Sequence, residues 1–380
     1  MKIIIYKNLL QVSLTLVAIF LISTYYPSNF GTIDFMQYWA AANLFLAQAN
    51  PYDSVALYNL EKSTSPWHLM NGFPIIMWNP PFIFPFIVPF ALFSFEFASK
   101  FWILVSLIFF ALGINNILET LKRKPSSFTT CVLALTFYPI YDSIYWGQIS
   151  PLLLLSLSAA LITFSRGKTF IAGILLCATL IKPHLLYLYY FSLILNFGSA
   201  KNRTYIFGFI TGGITLIGIS LFIEPHIINN YFALLSQPPT YWHTPTLGSW
   251  LQYLSGNNSF FIRSSPSIFA VVFLFSVKFF SPSLAKLFSD PRILIPLSLF
   301  TSPYGWIYDQ VLLIPSLIFL APTSKDRFSR NVFYATVFVN LLCFIPFSNS
   351  ESANVWYPFA IFILCSIKLQ TKNISNTIYD

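Results

Sequence analysis

The sequence predicts an all-α polytopic integral membrane protein. Of its 380 residues, 56% are hydrophobic and only 9% are charged, and the mean hydropathy is +0.68. Soluble domains contain about 25% charged residues, so this composition excludes a soluble enzyme, a disordered chain and a coiled coil. A transmembrane helix takes about 20 residues, and we therefore expect about 12 of them in a single membrane-embedded domain over residues 1–380.

The apolar segments indicate where these helices lie. In chain order they cover residues 8–26, 81–97, 101–120, 127–142, 149–165, 169–183, 185–199, 205–223, 266–282, 291–303, 309–322, 331–347 and 353–368. The first follows Lys2 and Lys7 and has no small-residue cleavage site before Pro27, which favours a membrane anchor over a signal peptide. Segment 81–97 contains three prolines. Because proline removes a helix hydrogen bond, we expect a re-entrant or broken helix there.

The two long polar stretches, 27–79 and 224–263, are predicted to be the first and second extracytoplasmic loops. The first loop contains an apolar run of helical length at 35–48. We expect this run to lie flat on the membrane surface, with its aromatic face among the lipid headgroups. A turn ends the run, and a second short helix is expected to begin with Asp53 or Ser54 as its cap.

The basic residues predict the orientation in the membrane. Of the 21 Lys and Arg, all fall near the ends of the chain or in alternate connections except Lys62, Lys100, Lys182 and Arg263. The positive-inside rule makes that shared side cytoplasmic, with both ends of the chain on it. This bias accounts for the net charge of +9, so no nucleic-acid partner is expected. Both long loops and all four His then lie on the opposite face.

Several motifs of soluble enzymes are missing from the sequence. It has no G-x-x-x-x-G-K-[ST] or G-x-G-x-x-G for a nucleotide, no D-x-D pair for a metal on a nucleotide sugar and no H-E-x-x-H. No metal and no cofactor is therefore expected. The cysteines, Cys131, Cys177, Cys343 and Cys365, lie in apolar segments and are expected to be unbridged packing residues.

Gly208 and Gly212 form a G-x-x-x-G pair within segment 205–223. Small residues at this spacing let two helices approach closely. The pair therefore predicts a helix-packing face.

Asp34 is the strongest candidate for a catalytic residue. It lies shortly after the first apolar segment, between Ile33 and Phe35, at the expected membrane interface. Partial desolvation by such neighbours raises the pKa of a carboxyl group towards the range of a general base. The alternative is an ordinary N-cap of the run at 35–48, since Asp favours that position.

Other polar residues of the same face interrupt aromatic or apolar runs. At 145–148 the chain reads YWGQ, and the indole and amide side chains here could bind a sugar by stacking and hydrogen bonding. The alternative is an aromatic belt at the membrane interface followed by a turn. Lys182 ends an apolar segment, where an ammonium group is costly unless it is paired or near water. We expect it to hold a lipid-linked phosphate, or else to snorkel towards ordinary headgroups.

Two further candidates lie in later connections. His243 follows Trp242 in the second loop. It is expected to contact a phosphate or to assist proton transfer, and the alternative is an ordinary surface histidine. Asp309 ends the run YGWIYD, which places a carboxylate beside aromatic residues on the outer face. The alternative is that this run is only a loop between two short helices. Polar groups that converge from several loops are what a buried site needs. One site on the outer face is therefore the prediction.

The order of short motifs in the chain resembles glycosyltransferase family 87. The matching features are Asp34 after the first segment, NPYD at 50–53, NPP at 79–81, GQ at 147–148, IKP at 181–183, SPY at 302–304 and YD at 308–309. The family includes polyprenyl-phosphate-mannose-dependent mannosyltransferases that act on mycobacterial phosphatidylinositol mannosides. One departure is Gln48-Ala49, where relatives often carry a glycine before Asn-Pro-Tyr.

The resemblance implies a GT-C fold with its site in extracytoplasmic loops. It also implies transfer of a hexose, such as mannose, from a polyprenyl-phosphate donor to a lipid or glycan acceptor. Asp34 corresponds to the catalytic base. The residues expected near the donor phosphate are Lys182, His184 and, by a looser match, His243. The residues expected at the sugar and acceptor are Tyr38, Tyr52, Trp146, Gln148 and Asp309.

A multi-span transporter or lipid flippase without chemistry is the main alternative. Transporters often contain paired repeats and discontinuous helices near the membrane midplane. This sequence shows no repeat, and its polar residues gather at one interface, which favours the enzyme. A third alternative is a relative that transfers something other than a sugar. The sequence is in keeping with a bacterial inner membrane protein whose active site is extracytoplasmic.

Overall fold

Helices joined by short turns make up the described part of the chain. The computed structural model describes residues 33–64, 75–121, 124–322, 326–345 and 351–378, and these ranges contain no strand. The all-α prediction is therefore confirmed for these residues. The expected membrane anchor at 8–26 and His68 lie outside them.

Most of the described helices follow one another with connections of a few residues. Those before residue 200 are α1 (Ile33–Leu46), α2 (Ser54–Thr64), α3 (Phe84–Ala91), α4 (Phe95–Thr120), α5 (Ser127–Thr136), α6 (Tyr138–Trp146), α7 (Ser150–Ser165), α8 (Thr169–Leu176) and α9 (Tyr187–Leu195). Those after it are α10 (Ala200–Ile223), α11 (Ile227–Leu235), α12 (Leu247–Ser255), α13 (Phe260–Phe280), α14 (Pro282–Leu287), α15 (Pro291–Thr301), α16 (Ile314–Leu320), α17 (Arg327–Leu342) and α18 (Trp356–Ile378). Short 3₁₀ segments lie at Pro81–Ile83, Cys177–Ile181, Pro183–Leu185, Ile307–Leu313 and Glu351–Val355.

Within the described ranges, 3 helices, α4, α10 and α13, are long and apolar enough to cross a membrane. Other predicted segments form shorter pieces. Segment 127–142, for example, divides at Phe137 into α5 and α6. Pro139 lies in the first turn of α6, where its missing N–H costs no helix hydrogen bond. These helices support the prediction of a membrane protein, and the total of about 12 spans stays a prediction.

The proline-rich segment 81–97 is broken, as predicted. It forms the 3₁₀ turn Pro81–Ile83, helix α3 and a tight connection, and α4 already begins at Phe95. The hydroxyl of Ser220 in α10 donates a hydrogen bond of 2.8 Å to the carbonyl oxygen of Pro81. This bond fixes the start of the broken segment against α10.

Helix α1 lies inside the protein, which corrects the prediction of a helix lying flat among the headgroups. Phe35, Tyr38 and Phe45 are each at most 1% exposed. Phe35 stacks on Trp102 of α4 with 5.2 Å between ring centroids, and Phe45 stacks on Phe84 of α3 at 4.3 Å. The aromatic side chains of α1 therefore pack on α3 and α4 and do not lie among lipid headgroups.

The turn between α1 and α2 has an unusual backbone. Gln48 has a φ of 54°, the one positive φ among the non-glycine residues described. This is the place where relatives often carry a glycine. After the turn, Asp53 caps α2 as predicted, because its Oδ1 accepts hydrogen bonds from the amides of Val55 (2.9 Å) and Ala56 (2.8 Å).

Helices α8 and α10 pack with their backbones in contact, which confirms the predicted role of Gly208 and Gly212. A Cβ atom on Gly208 would lie 2.0 Å from the carbonyl oxygen of Phe170, and one on Gly212 would lie 2.8 Å from Cβ of Cys177. On the facing helix, a Cβ on Gly173 would lie 2.0 Å from the carbonyl oxygen of Tyr205. Only glycine fits at these crossings.

The helices have two common ends. Arg166 and Glu119 form an ion pair of 2.6 Å between the ends of α7 and α4. Lys278 Nζ donates a hydrogen bond of 2.5 Å to Asn196 Oδ1, which joins the ends of α13 and α9. We call this side, defined by connections 166–168, 196–199 and 281–290, the basic end. The connections 147–149, 182–186 and 302–309 lie at the other, which we call the site end.

Candidate active site

Gln148 is the centre of a buried polar cluster at the site end. Gly147 ends α6 with a φ of 69°, a left-handed conformation that glycine adopts without strain. Its carbonyl oxygen accepts a hydrogen bond of 2.9 Å from the Trp102 indole. This fixed turn directs Gln148, which is 2% exposed, into the protein before α7 begins.

The Gln148 amide joins two residues of α1. Its Nε2 donates a short hydrogen bond to Oδ2 of Asp34, in the first turn of the helix. Its Oε1 accepts a bond of 3.0 Å from the hydroxyl of Tyr38, one turn later. Asp34 therefore faces the cluster, and its carboxylate is held by a side chain from another helix.

Burial raises the pKa of Asp34 to about 6. The hydrogen bond from Gln148 and the charge of Lys182 act in the opposite direction, and the charge of Asp309 adds to the rise. Asp34 remains partly exposed, unlike its neighbours in α1. It is therefore a reachable carboxylate that is mainly ionised at pH 7 and can still accept a proton.

Lys182 is held between two 3₁₀ segments by the residue that follows it. A residue before proline avoids the α-helical region, so Pro183 ends the segment Cys177–Ile181 at this position. The Lys182 ammonium donates hydrogen bonds to Oε1 of Gln148 (3.0 Å) and to Oδ1 of Asp309 (2.7 Å). It also lies 4.8 Å from the ring centroid of Tyr308. The predicted buried cation is thus paired rather than snorkelling.

Asp309 is surrounded by protein donors. Its Oδ1 also accepts a hydrogen bond of 2.7 Å from the Ser150 hydroxyl, and its Oδ2 accepts one of 3.1 Å from the Trp306 amide. Its exposure is only 1%. In this arrangement the carboxylate holds Lys182 in place. Its predicted contact with an acceptor stays a prediction.

His184 lies beside this ion pair. Burial lowers the pKa of His184 to about 4, with the Asp309 charge opposing this effect and the Lys182 charge reinforcing it. The imidazole is consequently neutral at pH 7. It can exchange a hydrogen bond with a phosphate, but the positive charge of the cluster comes from Lys182.

A group of aromatic rings, which we call the tryptophan cluster, borders the site end. Trp242 lies 5.7 Å from Trp78 and 5.7 Å from Trp306, measured between ring centroids. The guanidinium of the buried Arg263 donates a hydrogen bond to the carbonyl oxygen of Trp242 and lies 4.4 Å from the ring of Tyr304. The sequence alone does not bring these three indoles together, and its signal for them is the runs of aromatics around Trp242 and Trp306.

Two predicted site residues, His243 and Trp146, have partners outside the Gln148 cluster. His243 is exposed and packs edge-on against Tyr253, with 6.5 Å between ring centroids. Trp146 donates a hydrogen bond of 3.1 Å to Asp142. Among the described residues, neither side chain contacts Gln148 through a hydrogen bond or a ring contact, and their roles stay predictions.

Tyr52 supports the cluster from a distance. Its hydroxyl donates a hydrogen bond of 3.0 Å to the carbonyl oxygen of Asn79, and the Asn79 amide donates one of 3.3 Å to the carbonyl oxygen of Ile181. The loop that contains Asn50-Pro51-Tyr52 is thereby tied to the residue before Lys182. This contact braces the backbone, and a contact of Tyr52 with the acceptor stays a prediction.

The cluster combines a base with a cation. A carboxylate of pKa about 6 accepts a proton from a nucleophile. An ammonium group in a buried site stabilises negative charge that develops on a leaving group. Such a pair suits displacement of an anionic leaving group by a hydroxyl.

Comparison with models of known protein families gives a match. The model of glycosyltransferase family 87 matches residues 78–345, more than half of the chain. The matched region contains Gln148, Lys182 and Asp309 and begins after Asp34. No curated protein and no solved structure matches the chain significantly.

Proposed function

The chain belongs to glycosyltransferase family 87 and is a membrane glycosyltransferase, and on this premise we propose that it uses a polyprenyl-phosphate sugar as donor. The sugar in this proposal is a hexose, mannose in the first instance. The acceptor is a hydroxyl of a membrane lipid or a glycan. Family membership favours this enzyme over the transporter or flippase considered from the sequence.

One observation carries the proposal: a single amide, that of Gln148, is bonded to both Asp34 and Lys182. A base and a cation held by one side chain keep a constant separation. Such fixed spacing is what a displacement reaction requires, because the nucleophile and the leaving group lie on opposite sides of one carbon.

In the proposed reaction, the acceptor oxygen attacks the anomeric carbon of the donor sugar. The proton of the acceptor hydroxyl passes to Asp34 as the new C–O bond forms. The bond between the anomeric carbon and the phosphate oxygen breaks, and polyprenyl phosphate leaves with the electron pair. Lys182 stabilises the phosphate charge, and neutral His184 adds a hydrogen bond. No metal or cofactor enters this scheme.

Asp309 serves in this proposal as a positioning residue. Its bonds from Ser150 and the Trp306 amide hold it while it orients the Lys182 ammonium. Gln148 orients Asp34 in the same way. Tyr38, one turn from Asp34, is 1% exposed and donates its hydroxyl hydrogen to Gln148, and its predicted contact with the sugar or acceptor stays a prediction.

The basic end and the site end support an extracytoplasmic site. Arg166, Lys278 and Arg292 lie at the basic end, away from the cluster. The positive-inside rule assigns such an end to the cytoplasm. A GT-C arrangement with about 12 spans in a bacterial inner membrane completes the proposal.

A comparison of two sugar donors tests the proposed reaction class. Membranes that contain the protein are supplied with radiolabelled polyprenyl-phosphate mannose or, in parallel, GDP-mannose, with membranes lacking the protein as control. We expect label to reach a lipid or glycan product from the lipid-linked donor alone. Protein-dependent transfer from GDP-mannose and not from the lipid-linked donor would contradict the proposal. A panel of other polyprenyl-phosphate sugars then identifies the hexose.

A further inference from the structure

A cavity lies at the basic end, far along the helices from the cluster around Gln148. Its volume is about 540 Å³, within the range of roughly 300–1,000 Å³ that holds small ligands. Helix α9 leads from the site end, beside His184, to this cavity, which Asn196 lines. The cavity is thus separated from the proposed reaction by the length of the helix.

One wall of the cavity is polar and carries a positive charge. Lys278 lines it, and its ammonium donates a hydrogen bond of 2.5 Å to Oδ1 of Asn196. Within the part of the chain that the structure describes, Lys278 forms no ion pair and no Asp or Glu lines the cavity. An ammonium group whose neighbour is a neutral amide retains its full charge for an anion.

The backbone beside Lys278 adds donors to this wall. Ser199 and Asn202 line the cavity where the 24-residue helix α10 begins. The Ser199 side chain does not cap the helix. The first amides of a helix have no partner within it, so they favour a negative group placed there.

The remaining walls are apolar or aromatic. Leu161, Phe164, Leu193 and Leu195 line the cavity together with Tyr189 and Tyr205. The two tyrosine hydroxyls are 3.2 Å apart and bond to each other. One hydroxyl donates to the other, so this wall presents rings and aliphatic carbons to a ligand, together with the hydrogen of the accepting hydroxyl.

We infer that this cavity binds an anionic phospholipid of the leaflet at the basic end. The phosphate lies against Lys278, Asn196 and the first turn of α10, and an acyl chain lies along Phe164 and Leu193. A lipid fits this lining because it joins an anion to a hydrocarbon chain. A soluble anion would leave the apolar walls without a partner.

Lipid binding to the purified protein tests this inference without reference to sugar transfer. Native mass spectrometry and thermal unfolding in detergent are measured with dioleoyl phosphatidylglycerol, dioleoyl phosphatidylcholine or inorganic phosphate. Phosphatidylglycerol is expected to stay bound and to raise the unfolding temperature, whereas the other two are expected to do neither. Equal effects of both lipids, or an effect of phosphate alone, would overturn the inference.

Variants of two lysines at the same end locate the site. Lys278→Ala is expected to weaken phosphatidylglycerol binding by about 10-fold, since a lost charged hydrogen bond costs on the order of 1.4 kcal/mol. Lys278→Arg is expected to retain binding. The matched control is Lys286→Ala, because Lys286 is exposed and does not line the cavity. Equal weakening by Lys278→Ala and Lys286→Ala would show surface attraction only and overturn the assignment.

Discussion

Asp34 and Lys182 are bound to opposite ends of the same Gln148 amide. The carboxylate accepts a hydrogen bond from Nε2, and the ammonium donates one of 3.0 Å to Oε1. Any movement of this amide displaces both charged groups together. The proposed base and the proposed phosphate partner therefore depend on one side chain.

The pH dependence of transfer reports the base. Burial raises the pKa of Asp34 to about 6, and the base acts only when it is ionised. We expect kcat/KM to rise as the pH increases through about 6 and then to level off. Steady-state rates across this range measure the profile. A profile that is flat between pH 5 and pH 7 would argue against Asp34 as the base.

Gln148→Leu is expected to move this profile. The hydrogen bond from Gln148 lowers the pKa of Asp34, so its removal raises that pKa further. The rising limb should therefore shift to higher pH, in addition to a loss of rate. A merely structural role for Gln148 predicts a loss of rate at every pH with an unchanged profile.

Asp309→Asn separates two roles for this carboxylate. If Asp309 orients Lys182, kcat should fall by about 10- to 100-fold, while the KM for the acceptor stays nearly constant. If it binds the acceptor instead, the KM for the acceptor should rise. Asp290→Asn, which breaks the ion pair with Arg292 at the basic end, is the matched control and should retain activity.

Glu61→Gln is expected to stabilise the protein at neutral pH. Glu61 is 0% exposed, and its Oε1 has no hydrogen-bond partner among the described residues. Burial raises the pKa of this carboxyl group from 4.5 to about 7. The unfolded chain therefore ionises first, and stability present below pH 4.5 is lost as the pH rises to about 7.

Unfolding temperatures of Glu61→Gln and the wild type across this range measure that effect. The variant should lose less stability with rising pH, with a difference on the order of 2–3 kcal/mol above pH 7. Asp53→Asn is the control, since Asp53 is an exposed cap. Parallel pH curves for Glu61→Gln and the wild type would contradict the account.

Gln48→Gly is expected to retain or raise stability. Gln48 has a φ of 54°, and this region costs a residue with a Cβ atom about 1 kcal/mol. Gln48→Val should destabilise the protein, because a branched side chain tolerates this backbone least. Thermal unfolding of the two variants compares them. A glycine variant less stable than the valine variant would rule out backbone strain at this turn.

Much of the site was predictable, because sidedness follows from the distribution of charge. Asp34, Gln148, Lys182 and Asp309 were assigned to one face from the basic connections, and the structure brings all four into one cluster. Their mutual bonds were not predictable. The distribution of charge shows on which face a residue lies, but it does not give its distance from residues far along the chain.

The misplacement of helix α1 has a physical cause. Its run of aromatics resembles an interfacial helix when it is read alone. In the structure, Phe90, Phe95 and Trp102 surround Phe35, so the rings pack on the protein and not on lipid. Only the tertiary partners decide between these environments. The contact of Trp242 with Trp306 was missed for the same reason.

The most direct test of the central claim is transfer by Asp34→Asn. Membranes with equal amounts of wild type, Asp34→Asn or the exposed control Glu96→Gln are given labelled polyprenyl-phosphate mannose, and product formation is measured in one turnover. Loss of a positioned base should slow Asp34→Asn by about 10²- to 10⁴-fold, with Glu96→Gln unaffected. Near wild-type transfer by Asp34→Asn would contradict the account, because the proposed reaction would then proceed without its base.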